Sequence, residues 1–81
     1  MQAVITNLIK AIVMPLADSP ELVQIQTTTT PDSLIFDLHV SAKDAGRIIG
    51  KQGRVAQAIR TVVYSQNNDQ NRRIKLNIIP E

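Results

Sequence analysis

The chain of 81 residues has no cysteine. That excludes a disulfide framework, a thiolate metal site and a cysteine nucleophile. The one histidine, His39, excludes any two-histidine metal site. Aromatic residues are nearly absent: Phe36 and Tyr64 are the only two. A sheet or barrel that reads nucleic acid by stacking bases needs several rings, and this chain cannot supply them. No apolar run reaches the ~20 residues needed to span a bilayer. No signal-peptide pattern opens the chain, so a cytoplasmic location is expected. The seven acids (Asp18, Glu21, Asp32, Asp37, Asp44, Asp69 and Glu81) are scattered, with no Ser–His–acid or metal-ligand spacing among them. No enzyme activity, catalytic residue, metal or cofactor is expected.

A hydrophobic content of 43% suits one small folded domain over residues 1–81, of modest stability. Net charge is only +2, but it is unevenly placed. Lys43, Arg47, Lys51, Arg54 and Arg60 against Asp44 give +4 between residues 43 and 60, so the remainder carries −2. Focused positive charge of this kind marks either a local polyanion site or simply a solvated helix face.

Residues 2–14 carry Ile5, Leu8, Ile9, Ile12 and Val13 on one helical stripe, with Gln2, Thr6 and Lys10 opposite. Pro15 should stop that helix near Met14. With a single lysine the helix is too weakly basic for a membrane surface, and core packing is expected. Ser19-Pro20-Glu21 has the residues of a turn or a capped helical turn. Alternation over residues 22–30 and 34–40, joined by Thr30-Pro31-Asp32-Ser33, predicts a hairpin of two half-buried strands. Leu34, Phe36, Leu38 and Val40 face inward; Ile35, Asp37 and His39 face outward, His39 as a surface strand residue. Ser41 and Asp44 open a helix over residues 42–49, which Gly50 closes. Gly46 within it costs about 1 kcal/mol relative to alanine, and close approach of another backbone is the expected reason. A helix follows over residues 54–66, with Val55, Ile59, Val62 and Val63 inward. After it come a polar loop at 67–71 and a strand at 72–79 that buries Ile74, Leu76 and Ile78 and ends at Pro80.

The stretch Ile48-Ile49-Gly50-Lys51-Gln52-Gly53-Arg54 carries the functional signal. Two glycines three positions apart permit a sharp turn and close approach to its backbone. The N-terminus of the following helix offers unpartnered N–H groups and the positive end of a dipole. Lys51 and Arg54 add charge there. A Walker-type loop requires a different glycine spacing and, like the dinucleotide fingerprint, a preceding strand; here a helix precedes. A DNA-binding helix-turn-helix fits the outline, although its recognition helix would open on small and apolar residues. A ligand-free helix hairpin accounts for Gly50 but not for Lys51, Gln52 and Gly53 together.

The run from Asp44 through Arg54, continuing in Val55, Ile59 and Val62, resembles the central signature of K-homology (KH) domains with its GxxG loop. The element order resembles the bacterial type II arrangement, and the whole chain resembles the KhpA family of small bacterial single-KH RNA-binding proteins. The resemblance implies an α+β domain, a three-stranded sheet with three helices on one face in the order α-β-β-α-α-β. It implies non-catalytic binding of single-stranded RNA, with Gly50, Lys51, Gln52 and Gly53 clamping the backbone of about four nucleotides. In that reading the N–H groups of Lys51, Gln52 and Gly53 face phosphate, and Arg47 and Arg54 flank the track. Ile48, Ile49 and Val55 are candidates for an aliphatic groove floor, and residues 35–40 for its other wall. The family further implies a role as RNA chaperone or post-transcriptional regulator. That role is linked to growth, cell shape and cell-wall biogenesis, with a larger KH-containing protein as partner. A protein–protein interaction domain with this fold and no RNA binding remains the alternative, beside the helix-turn-helix.

The helix after the loop suggests self-association. Val55, Ile59, Val62 and Val63 with Ala56 and Ala58 span an apolar arc of about 160°. Packing on a sheet needs about 100° or somewhat more. The edge carrying Ala58 and Val62 is therefore expected to stay partly exposed and to form a homodimer interface, with Tyr64 bordering it.

Overall fold

The computed structural model describes residues 2–66 and 72–81. The stretch 67–71, read from its sequence as a polar loop, lies outside the described residues. The elements are α1 (Gln2–Val13), β1 (Gln24–Thr29), β2 (Ser33–Val40), α2 (Ala42–Ile49), α3 (Arg54–Tyr64) and β3 (Arg73–Pro80). Short 3-10 turns occupy Met14–Leu16, Pro20–Leu22 and Lys51–Gly53.

The middle strand of the three-stranded sheet is β2. β1 lies antiparallel to it, Gln24 opposite His39 and Thr29 opposite Leu34. β3 runs parallel to it, Ser33 opposite Arg73 and Val40 opposite Pro80. A parallel neighbour requires a crossover, and α2, the glycine loop and α3 supply it. The glycine loop is thus held between two helices packed on the same sheet. The architecture is the expected α+β arrangement, a mixed sheet with its helices on one face.

The periodicities of the sequence become burial. Ile5, Ile9 and Val13 of α1 are buried, with Leu8 and Ile12 packed at the margin. They meet Leu34, Phe36, Leu38 and Val40 of β2, Ile74 and Leu76 of β3, and Ala45, Ile48, Ile59 and Val63 of the crossover helices. Phe36 is fully enclosed; truncating a ring so placed costs about 3–5 kcal/mol. The hairpin turn closes on Thr30, whose N–H donates to the Ser33 carbonyl while its Oγ1 accepts from the Ser33 N–H, both at 2.8 Å.

Several local expectations are corrected. β1 is mostly exposed rather than half-buried, because it is an edge strand and only Ile25 turns toward the core. His39 does face outward, but its Nδ1 pairs with Glu81 Oε1 at 2.6 Å and its side chain is only 19% exposed. Ser19 precedes the Pro20–Leu22 turn without a side-chain cap bond. α3 ends at Tyr64, where the N–H groups of Ser65 and Gln66 fold back onto the carbonyls of Thr61 and Val63. Pro80 is the last residue of β3, and the N–H of Glu81 still donates to the Val40 carbonyl at 2.8 Å. Of the residues expected inward on α3, Val62 is 43% exposed, in keeping with the exposure expected of the edge it shares with Ala58. The reason offered for Gly46 fails: a Cβ there would meet nothing within 4 Å.

Candidate nucleic-acid interface

α2 begins on Ser41, whose Oγ accepts from the Asp44 N–H at 3.1 Å. The Asp44 carboxylate turns away from solvent, with the residue 1% exposed. Oδ1 accepts from the N–H of Asp18 and Oδ2 from that of Ser19, each at 3.0 Å. These two N–H donors, helped by the Ser41 hydroxyl and the Arg47 guanidinium, hold the Asp44 carboxyl below its ordinary value of 3.8 against the opposing effect of burial. Asp44 thereby fastens the segment between the first two 3-10 turns to α2.

The other end of α2 is the loop. Gly50 has φ 76° and ψ 177°, a conformation open essentially to glycine alone. Gln52 (φ 58°) and Gly53 (φ 74°) are left-handed as well. The two glycines serve different ends. A Cβ on Gly50 would lie 2.4 Å from Cγ2 of Val55, so Gly50 lets the loop close onto α3. A Cβ on Gly53 would meet nothing within 4 Å; only its dihedral favours glycine there, and the space beside it is open. The Gly53 N–H donates to the Gly50 carbonyl at 3.2 Å, so it is engaged inside the loop rather than turned to a ligand. The N–H groups of Lys51 and Gln52 make no such bond among the described residues, and both residues are exposed. The loop therefore has two N–H donors with no backbone acceptor among the described residues, on exposed residues just before a helix, with the Lys51 charge beside them.

The remaining site candidates divide. Ile48 is fully buried and belongs to the core, so it cannot floor a groove. Ile49 and Val55 are partly buried at the core margin and can offer apolar surface. Arg54 is exposed, its Nη2 donating to Gln52 Oε1 at 3.4 Å. Arg47 is exposed but occupied: its Nη1 donates to Asp18 Oδ1 at 2.7 Å. Arg60 is turned to β3, its Nε donating to the Leu76 carbonyl at 3.1 Å, and Tyr64 accepts the Leu76 N–H at 3.3 Å. Of the five basic residues between 43 and 60, Arg47 alone thus has a carboxylate partner among the described residues, and Arg60 is turned to a carbonyl instead. Of the possible second wall, Ile35, Asp37 and His39 are partly buried on the face of β2 away from the core, whereas Phe36, Leu38 and Val40 lie within the core. Ala58 and Val62 are both exposed along one edge of α3, as expected from the breadth of its apolar arc. Asp18 was missed by sequence reasoning. Its partners are Asp44 and Arg47, 26 and 29 positions away, and no local pattern signals either.

Comparison with known proteins follows the same lines. The family described as KhpA/KhpB, KH domain, matches residues 6–78. The RNA-binding protein KhpA of Listeria monocytogenes is 51% identical over 73 residues, covering 90% of this chain and 96% of the relative. That of Oceanobacillus iheyensis is 46% identical over 72 residues, 89% of this chain and 96% of the relative. That of Streptococcus pneumoniae is 48% identical over 61 residues, 75% of this chain and 77% of the relative. A loop with two glycines of positive φ, clamped between two helices on a mixed three-stranded sheet, and a match across residues 6–78 lead to one assignment: the chain belongs to the KhpA/KhpB family of KH-domain proteins.

Proposed function

We propose that this chain binds single-stranded RNA without catalysis, as one KH domain over residues 1–81, through the loop at 50–53. The observation that carries the reading is the pair of N–H groups at the exposed Lys51 and Gln52 with no backbone acceptor among the described residues, set in a loop with positive φ at Gly50, Gln52 and Gly53 and accompanied by the charges of Lys51 and Arg54. Backbone donors at a helix start hold phosphate oxygens without reading sequence. Ile49 and Val55 offer the apolar surface for bases in a chain with too few rings to stack them. The KhpA relatives, which are named RNA-binding proteins, support the same reading. In the cell the protein acts in the bacterial cytoplasm as an RNA chaperone or post-transcriptional regulator, in the service of growth and cell-wall synthesis.

The test is the Lys51→Asp/Gln52→Asp variant. Both side chains are exposed, so the fold survives. Two carboxylates at the point of closest approach repel phosphate. Binding of single-stranded RNA is lost while the circular dichroism spectrum is kept; a folded variant that binds at wild-type strength would remove the loop from the site.

The domain works as a homodimer through the edge of α3 that carries Ala58 and Val62. Val62 at 43% exposure beside the small Ala58 is the supporting observation. Two linked weak sites raise avidity without new contacts. A larger KH-containing partner uses the same edge; the joint family description KhpA/KhpB supports the existence of such a partner. Val62→Asp gives a folded monomer by light scattering at ~100 μM, a concentration at which the wild type is dimeric.

A further inference from the structure

Among the described residues, Arg47 is the one basic group beside the loop that already holds an anion. Its Nη1 and Asp18 Oδ1 are 2.7 Å apart, with the side chains 56% and 49% exposed. Asp18 is not carried there by chance of a flexible chain. Its own N–H and that of Ser19 donate to Asp44, three residues before Arg47 on the same helix. The backbone at residue 18 is pinned to α2, and the pin uses its N–H, not its carboxylate. The charge of Asp18 is therefore free of any duty in holding the segment.

Arg47 precedes Gly50 by three residues, about 4.5 Å along the helix axis. A strand lying in the loop brings its next phosphate into that range. Resting on the reading of the loop as an RNA site, we infer that Asp18 is a built-in competitor for phosphate at Arg47. A strand that extends from the loop along α2 takes Arg47 by displacing the Asp18 carboxylate, and Asp18 so sets the affinity for RNA longer than the loop itself holds. An exposed ion pair has little net worth, so the exchange is open to an incoming phosphate. Guanidinium also matches phosphate as well as it matches carboxylate. The exchange gives up the Asp18–Arg47 attraction, and an exposed pair of this kind changes affinity by about threefold.

The experiment titrates a random-sequence RNA octamer against the wild type, Asp18→Asn, Arg47→Gln, the Asp18→Asn/Arg47→Gln double variant and Lys51→Asp/Gln52→Asp, at low and high salt. Asp18→Ser serves as a second charge-free variant. Asp18→Asn binds about threefold tighter at low salt, and the gain shrinks as salt screens it. Arg47→Gln binds more weakly, and in its background Asp18→Asn brings no gain. An equal gain in that background overturns the inference, since Asp18 would then act on the strand without Arg47. So does unchanged affinity in both charge-free variants. If Lys51→Asp/Gln52→Asp loses binding while the Asp18 variants change nothing, this inference alone fails. If that loop variant keeps binding, the loop reading itself fails.

Discussion

At the N-terminal end of α2, Ser41 and Asp44 direct their oxygens inward, onto the N–H groups of Asp44, Asp18 and Ser19. At the C-terminal end, the loop leaves the N–H groups of Lys51 and Gln52 without backbone acceptors among the described residues and holds three residues at positive φ. One helix thus has a satisfied polar end that fastens the fold and an unsatisfied end that can receive a ligand. A buried acceptor facing two donors makes a position rigid. An exposed donor in an unusual backbone conformation remains available, and the surrounding packing maintains the strain. The two ends also differ in the reach of their contacts. Asp44 ties together positions 26 residues apart, whereas Gly50 leans on Val55, five residues on.

The sharpest way to break this comparison is at Gly50. Alanine there brings both a Cβ 2.4 Å from Val55 Cγ2 and a backbone that L-residues avoid. The expected loss is about 3 kcal/mol, a melting temperature lower by about 15 °C in a domain of this size. Val55→Ala in the same chain recovers part of it by removing the γ-methyl clash. Gly53→Ala meets no neighbour and loses only about 1 kcal/mol, for its left-handed dihedral. Equal losses at the two glycines in thermal melts would show that packing on Val55 does not distinguish them.

The opposite end is tested with acid. The folded Asp44 carboxyl lies below its ordinary value of 3.8, chiefly through the Asp18 and Ser19 N–H groups. Its contribution to stability is fully present above the unfolded value and is lost as pH falls through the folded value. Asp44→Asn keeps one acceptor oxygen and turns an NH2 group toward a donor. The variant melts below the wild type by the same margin at all pH values above about 5, and the margin narrows below about 4. A margin that did not change between pH 5 and pH 2 would mean that the ionised carboxylate is not what holds the segment.

Much of this could be read from the residues because it is local. The Ile5, Ile9 and Val13 spacing, the alternation from Leu34 to Val40 and the stop at Gly50 each depend on near neighbours in the chain. The loop was legible for the same reason: its glycines, its lysine and the following helix start are contiguous. What was not legible depends on which face meets the sheet. Ile48 and Ile49 are adjacent and chemically alike, yet a 100° step places one in the core and the other at its margin. Val55, Ile59, Val62 and Val63 share one arc, whose breadth points to an exposed Val62 edge but does not say that Ile59 and Val63 are buried while Val55 is only partly so. Asp18 had no signal at all, since its role arises where a turn after α1 is folded against α2.

Gly46 gives the smallest expected effect and bears on the middle of α2, which belongs to neither end. It lies in regular helix, since positive φ among the glycines is confined to Gly50 and Gly53. Its surroundings are empty to 4 Å, so a methyl group displaces nothing. Glycine in such a place carries only the entropic disadvantage of a helix interior, about 1 kcal/mol relative to alanine. Gly46→Ala should therefore raise the melting temperature by about 4–8 °C, the reverse of the change at Gly50 four residues on. Both substitutions add one methyl group to the same helix or its cap, so their difference in sign isolates the effect of backbone conformation and of Val55. Thermal melts of the two variants side by side decide it. A Gly46→Ala protein that melts no higher than the wild type would mean that the glycine is held by a constraint other than helix propensity.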